Sequence, residues 1–367
     1  MSSTTALIVS GYTEEGYGAG PGLASFAVLA DGTVGQLQAQ NATVPNPSFV
    51  LFGGGHLLAV EELPQGGLAA LDPQTLGLVG RAATGGADPC HAAFMDGKVW
   101  AANYSSGTAA VVSLAGMLEG AAQEPQLVAH PGSGPVVDRQ SQSHVHQVTA
   151  TAWGTVLATD LGADRVDEYA QVGELIELQR AAQLPPGTGP RHLVLKGDFM
   201  LVAGELDGHL HVLRKTLHKT SNAERIDRHP VDGAAGDFFW QWLFKSVLTE
   251  NPQAQADGKD FFPSHLQLSA DGTKLYAAVR GPNTLVVMDV GDLDGVTGEA
   301  LVPPRFLQEI PSGGAWPRHF AVANNTMYVA NQYSNSVAVF ALDADGLLGA
   351  EPVQRLEFGS ATCVLPV

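Results

Sequence analysis

The same hairpin is written several times in this 367-residue chain. GPRHLVLKGDFMLVAGELDGHLHVL begins at Gly189, WPRHFAVANNTMYVANQYSNSVAVF at Trp316 and DPCHAAFMDGKVWAANYSSGTAAVV at Asp88. Each copy opens on Arg or His, runs through a short apolar strand, turns, and adds two more strands. Recurrence of this kind means stacked β-units, and it places the opening residues of every unit at equivalent points in space. Far more than composition, this restricts the fold.

Seven copies can be placed. They start near Ala6, then at Asn46, Asp88, Ser143, Gly189, Pro263 and Trp316. Most starts lie roughly 40–55 residues apart, the length of a four-stranded propeller blade. The expected fold is therefore all-β, a seven-bladed β-propeller forming a single domain over 1–367. The tail TCVLPV (362–367) has no copy of its own and is expected to pair with the first hairpin and close the ring. Closure removes sheet edges that would otherwise invite aggregation. In SADGTK (269–274), Asp271-Gly272 is expected to supply the positive backbone angles of a hairpin turn.

One segment breaks the pattern. The interval between the fifth and sixth copies is long, and an insertion is expected at about 215–262. Within it DFFWQWLFKSVLTE (237–250) sets Phe239, Trp240, Leu243, Phe244, Val247 and Leu248 at helical spacing, with Asp237 as N-cap. That predicts a helix on a blade edge. So many aromatics in one segment also suggest a lid or a homodimer contact.

The chain carries 19 basic and 37 acidic residues, a net charge of −18. Such a surface argues against nucleic acid or anionic membranes as partners. Cys90 and Cys363 are the only cysteines, too few for a disulfide framework or a cysteine-ligated zinc site. No basic stretch followed by a long apolar core opens the chain, and the expected setting is the cytoplasm, with reduced thiols.

In a propeller the start of the innermost strand sits beside the end of its antiparallel neighbour. This brings Arg191 and His192 beside Glu205, His144 and His146 beside Asp160, His265 beside Arg280, Arg318 beside Asn331 and Gln332, and His91 beside Asn103. Three arginines (Arg191, Arg280, Arg318) thus share one rim in an acidic protein. Arg binds carboxylate or phosphate through two parallel hydrogen bonds, so the rim is suited to a small anion such as an anionic lactone or sugar acid. The plain structural alternative is that these side chains cap blade ends.

The strings SHVHQV (143–148), TDLGADRVDEY (159–169), GPRHLVL (189–195), GELDGHLHVL (204–213), VRGPNTLVV (279–287) and WPRHF…VANQYSNSVAVF (316–340) resemble the lactonase family of seven-bladed propellers. That family includes bacterial 6-phosphogluconolactonases and fungal carboxy-cis,cis-muconate cyclases. The resemblance spans nearly the whole chain and implies a site at the channel mouth with His146, Arg191 and Glu205 as catalytic residues. His144, His265, Arg280, Arg318 and Gln332 would bind substrate. The sequence departs from the family in the sixth unit, where a usual Glu-Ile-His stretch is replaced by one carrying His265 and Gln267.

The expected reaction is hydrolysis of a sugar-acid lactone, 6-phosphoglucono-δ-lactone first among them, with Glu205 or His146 activating water and Arg191 stabilising the oxyanion. A carboxymuconate-type cyclase and a non-catalytic binding propeller remain as alternatives, because fold does not set function. No cofactor is implied and no metal-ligand spacing is present. GYGAGPG (16–22) is not followed by a helix pattern and is not read as a phosphate loop. Cys90, next to His91, is read as a small buried residue rather than a nucleophile.

Overall fold

The structure is a computed structural model describing residues 5–121, 123–217, 238–249, 261–294 and 301–367. Among these residues the strands form seven four-stranded antiparallel sheets. The first sheet is completed by the other end of the chain. Ala361–Pro366 pairs with Ala6–Gly11, setting Val364 opposite Val9 and Leu365 opposite Ile8. The innermost strands (Val50–Gly53, Pro89–Met95, Val145–Ala150, Pro190–Lys196, Phe262–Leu268, Pro317–Ala323 and Ala361–Pro366) each touch the next, and the last touches the first. The seven-bladed propeller read from the repeats is the fold, and the tail closes it.

Seven apolar clusters hold the ring, one at each interface between neighbouring blades. The sequence reason is period-two alternation with both faces apolar. In Phe199–Gly204, Phe199, Leu201 and Ala203 pack towards the sixth blade, and Met200 and Val202 towards the fourth. In Lys98–Asn103, Val99 and Ala101 face the second blade, and Trp100 and Ala102 the fourth.

Every blade starts on a four-residue lead-in. These are Asn46-Pro47-Ser48-Phe49, Asp88-Pro89-Cys90-His91, His144-Val145-His146-Gln147, Gly189-Pro190-Arg191-His192, Phe262-Pro263-Ser264-His265, Trp316-Pro317-Arg318-His319 and, on the closing strand, Ser360-Ala361-Thr362-Cys363. In six of the seven, the pairing with the next strand slips by one residue inside the lead-in. A bulge of this kind bends the strand and re-aims side chains. The first lead-in residue has a positive φ at Asn46 (43°), Asp88 (53°), Gly189 (59°), Trp316 (64°) and Ser360 (48°). That region costs a residue with a Cβ about 1–2 kcal/mol and is normally filled by Gly, Asn or Asp. The carbonyl of the first residue then accepts the N–H of the residue that follows the second strand. Asn46 pairs in this way with Glu62, Asp88 with Tyr104, His144 with Leu161, Gly189 with Glu205, Trp316 with Gln332 and Ser360 with Tyr12.

Three sequence expectations need correction. The segment predicted as a helix over 237–250 is a strand, Phe238–Val247, on the outer edge of the fifth blade. Asp237, Glu250 and the rest of the insertion at 218–236 and 251–260 lie outside the described residues. The helical spacing arose from a bulge. Pairing slips between Val212 and Leu213, so Phe238 and Trp240 pack towards the fourth blade and Leu243 and Phe244 towards the sixth. A period of two with one extra residue imitates a period of 3.6. As the outermost strand it does not line the mouth, so it is no lid. A homodimer using it would have to engage the outward Phe239, Trp242 and Val247.

The second correction concerns the sixth blade. Arg280 pairs with Phe262, whereas His265 pairs with Ala278, deeper along the strand and beyond the bulge. The third is local. At the 269–274 turn only Gly272 takes a positive φ, at 69°, and Asp271 instead accepts the Thr273 N–H at 3.0 Å.

The interface clusters set the stability. Trp100, 1% exposed, fills the seam between the third and fourth blades. Trp100→Ala is expected to cost about 3–5 kcal/mol, whereas Leu175→Ala, at a position 65% exposed, should stay within about 0.5 kcal/mol. Guanidinium unfolding followed by circular dichroism checks both.

Candidate active site

The residues that follow the second strands form the upper layer of the mouth, and the bulges aim lead-in side chains at it. Together they bound a cleft of about 440 Å³ lined by Tyr12, Gly16, Tyr17, Arg139, Glu205, Phe262, Arg280, Trp316, Arg318, Gln332 and Tyr333.

Glu205, 3% exposed, is the hub. Arg139 Nη2 donates to its Oε1 at 2.6 Å and Arg280 Nη2 to its Oε2 at 2.6 Å. Arg191 Nε lies 2.9 Å from the same Oε2, a charge contact rather than an aligned hydrogen bond. Arg191 also donates through Nη1 to the Ser264 carbonyl. Burial alone would raise the Glu205 pKa. The three arginines overcome that and hold it well below the usual carboxylate range. Burial, then the neighbouring Arg280 charge, brings Arg191 down to about 9, so it keeps its proton at neutral pH.

A second pair sits across the cleft. Arg318 Nη2 is 3.3 Å from Glu62 Oε2, and the Tyr12 hydroxyl donates to Glu62 Oε1 at 2.8 Å. The Arg318 guanidinium also lies 5.2 Å from the Tyr12 ring centroid. Four guanidiniums therefore meet two carboxylates. In a chain of charge −18 the mouth thus holds a local excess of two positive charges, which favours a bound anion there.

Beneath the charged layer the channel is lined by neutral imidazoles. Phe49 stacks on His91 at 3.9 Å, His91 meets His192 at 5.3 Å, His192 meets His265 at 5.1 Å, His265 meets His319 at 4.0 Å, and His319 returns to Phe49 at 5.8 Å. His192 Nδ1 and His265 Nδ1 are 2.8 Å apart, so one tautomer donates to the other. His146 joins this layer 5.4 Å from His192, with its Nδ1 buried and unpartnered. Burial first, then the charge of Arg191, lowers the pKa of His146 and His192 well below the usual imidazole value. Burial and a neighbouring His319 do the same for His91 and His265. His319 falls to about 3, through burial and then Arg191.

Of the eight residues expected at the site, Arg191, Glu205 and Arg280 form one ion cluster, and Glu205, Arg280, Arg318 and Gln332 line the cleft. Arg191, its side chain 3% exposed, stands behind Glu205 rather than on the cleft wall. His146 and His265 lie in the imidazole layer below. His144 is held to one side, stacked on Tyr104 at 4.5 Å with its Nδ1 3.0 Å from the Tyr104 carbonyl. Asp160, Asn103 and Asn331 are fully buried brackets of the blade turns and do not reach the rim.

Sequence reasoning missed Tyr12, Glu62 and Arg139. The first two occupy the position of Glu205 in other repeats, so carrying the Glu205 register round the ring would have found them. Arg139 comes from the short helix Val137–Gln140, in a connection that belongs to no repeat. Among the described residues, no group of three or more His, Cys, Asp or Glu side chains is arranged to hold a metal ion. Both cysteines are free and buried. Burial pushes both thiols up, Cys363 to about 12.

A larger cleft, about 720 Å³, lies at the other end of the sixth and seventh blades. Three of its four aspartate carboxylates are already engaged. Asp271 accepts from Thr273, Asp289 from Gly291 and Arg305, and Asp343 from Asp345 and Leu347.

The family described as "Lactonase, 7-bladed beta-propeller" matches residues 6–366. Among curated relatives, the 6-phosphogluconolactonase of Bacillus subtilis is 26% identical over 319 residues, covering 83% of this chain and 82% of its own. Among solved structures, the periplasmic gluconolactonase of Pseudomonas aeruginosa superposes with a TM-score of 0.81 at 27% identity, covering 99% of each chain. A Lactobacillus plantarum protein superposes at 0.80 with 24% identity, again covering 99% of each, and speaks to the fold alone.

The imidazole layer gives the protein an acid-labile core. Each depressed histidine is neutral when folded but takes up a proton near pH 6.5 when unfolded. Its stabilisation is complete above that pH and is lost as pH falls towards the folded value, about 3 for His319. Each contributes a slope of up to about 1.4 kcal/mol per pH unit. The Glu205 ion cluster also weakens with acid, but only below the unfolded carboxylate value of about 4.5. The thermal midpoint should therefore fall steadily from pH 6.5 to 5. A flat midpoint over that window would mean that the imidazoles accept protons without unfolding.

Proposed function

The chain belongs to the lactonase family of seven-bladed β-propellers, and from that premise we propose that it hydrolyses a six-membered sugar-acid lactone, 6-phosphoglucono-δ-lactone in the first instance. The observation that carries this reading is the convergence of Arg139, Arg280 and Arg318 on one cleft, the first two bound to the ionised Glu205 and the third to Glu62. A lactone carrying an anionic tail asks for two things from a site, a clamp for the tail and positive charge where the carbonyl oxygen becomes an oxyanion.

Arg280 reaches the cleft from the Glu205 cluster and is the guanidinium placed to meet the oxyanion. Arg139 and Arg318, more exposed than Arg280, stand on opposite sides of the cleft, and either can grip a phosphate in bidentate fashion. Arg191 acts through Glu205, as a positioning residue. Water attacks the carbonyl carbon, the new C–O bond forms, and the ring ester C–O bond breaks. The ring oxygen leaves as the hydroxyl of the open-chain acid after taking up a proton. Glu205 is ionised and can orient the water, but the charges that keep it ionised make it a weak base. His146 is neutral, with a lone pair at Nδ1 or Nε2 according to tautomer, and is the other candidate acceptor, its basicity lowered in the same way by burial and the Arg191 charge.

The direct test is the rate of 6-phosphoglucono-δ-lactone opening by the purified protein, corrected for spontaneous hydrolysis. Arg280→Ala should lower kcat/KM at least about tenfold, or 1.4 kcal/mol. Arg318→Ala should act mainly on KM, and less on glucono-δ-lactone, which has no phosphate. No acceleration of either lactone by the wild-type protein, with turnover of carboxymuconate instead, would replace hydrolysis by cyclisation.

A further inference from the structure

Two positions in the seventh blade depart from their equivalents elsewhere, and both face the cleft. The first opens the lead-in. Where that position takes a positive φ, other blades use Asn46, Asp88, Gly189 and Ser360, but the seventh uses Trp316 at 64°. An indole in that backbone region is an outlier, and such outliers concentrate at functional sites. The backbone is held there from both sides. The Trp316 N–H donates to Asn283 Oδ1 at 2.7 Å, and its carbonyl accepts from Gln332 at 3.1 Å.

The second position lies two residues beyond the second strand. Its N–H donates to the residue before the lead-in at Ser105, Leu206 and Tyr333 alike. Only the seventh blade places an aromatic ring there, and that ring is 63% exposed. The Trp316 and Tyr333 rings stack at 4.8 Å and 15°, and both line the cleft. The Arg280 guanidinium lies 5.2 Å from the indole centroid, and Phe262 extends the wall at 5.8 Å. The apolar seams include neither ring, and of the ion cluster only Arg280 touches the indole, while Tyr333 touches none of it.

We propose that stacked Trp316 and Tyr333 form a specificity wall that selects a saturated, polyhydroxylated six-membered ring by its C–H face. An aromatic face carries negative quadrupole charge and attracts the slightly positive C–H bonds that a pyranose-like ring presents on one side. The arginines then hold the ring's anionic substituent. This rests on the reaction proposed above and adds the ring to the anion as a recognised feature. Trp316 and Tyr333 are specificity-determining residues and transfer no proton.

The test compares two probes that cannot undergo lactone hydrolysis, glucose 6-phosphate, which keeps the ring and the anion, and inorganic phosphate, which keeps the anion alone. Titration calorimetry on the full chain reads both affinities. The wild-type protein should prefer glucose 6-phosphate by about two- to tenfold, the size of an aromatic contact with its neighbour. Trp316→Asn, which restores the residue type of another blade, and Tyr333→Ser, at a solvent-facing site, should each erase most of that preference and leave phosphate binding unchanged. Tyr333→Ser leaves the strained backbone alone and stands if Trp316→Asn fails to fold. A wild-type protein with no preference, or variants that weaken both probes equally, would overturn the wall. The lactone assay on the same preparations is a separate readout. Lactone opening without ring preference overturns the wall alone, and ring preference without lactone opening overturns the reaction alone.

Discussion

The extra residue near the start of the innermost strands is the constraint on which the site depends. A regular strand would send successive side chains to opposite faces, both of which are buried against neighbouring blades. The slip in pairing after Pro89, Val145, Pro190, Pro263 and Pro317 frees side chains from that alternation. Third lead-in residues such as Arg318 can then reach the mouth, and fourth residues such as His192, His265 and His319 meet one another in the channel. Because the blades repeat, the same displacement occurs round the ring. A cleft and a lined channel follow from one backbone device used several times.

The charge arrangement follows from burial. Arg191 and Arg280 have side chains only 3% and 8% exposed, and buried guanidiniums without counter-charge would be very unfavourable. Glu205 supplies that charge to both and to Arg139. One carboxylate cannot neutralise three cations, so the cluster is stable enough to form yet retains attraction for a further anion. A buried ion cluster is weak support for stability; its incomplete compensation makes better sense as a means of binding. The histidines below obey the same rule in the other direction. Near so many cations, and away from solvent, they give up their protons, leaving a neutral layer with free lone pairs beneath a positive one.

Much of this was legible in the sequence, and the parts that were not share a cause. The repeated hairpin gave blade number, ring closure and the convergence of Arg191, Glu205, Arg280 and Arg318, because each depends only on the period of the chain. The failures sit where the period is broken. A bulge in Phe238–Val247 imitated a helix. The bulge in the sixth blade carried His265 past Arg280 and into the channel. Arg139 belongs to a connection with no counterpart in other blades. Its reach to Glu205 is a tertiary fact without a local signal. His144 illustrates a subtler limit. It occupies the same lead-in position as Trp316, yet stacking on Tyr104 turns it away from the cleft.

The ring offers seven near-identical slots, and function arises from filling them unequally. At the third lead-in position Arg191 and Arg318 flank Ser264, and Ser48 and Thr362 follow on round the ring. The two arginines are thus separated by one small hydroxyl residue, so the cations approach one another across space that a third large side chain would occupy. Ser264 also accepts Arg191 through its carbonyl and bonds the Pro317 carbonyl through its hydroxyl at 2.6 Å, tying the fifth, sixth and seventh blades together beneath the cleft. The aromatic substitutions fall on the same arc, at Phe262, Trp316 and Tyr333. The fourth blade, by contrast, places Leu161 where the fifth has Glu205 and turns His144 aside. Symmetry of the backbone supplies the channel; the departure from symmetry in side-chain size and charge, concentrated on blades five to seven with Tyr12 and Glu62 on the adjoining first and second, decides where on the rim an anion can settle.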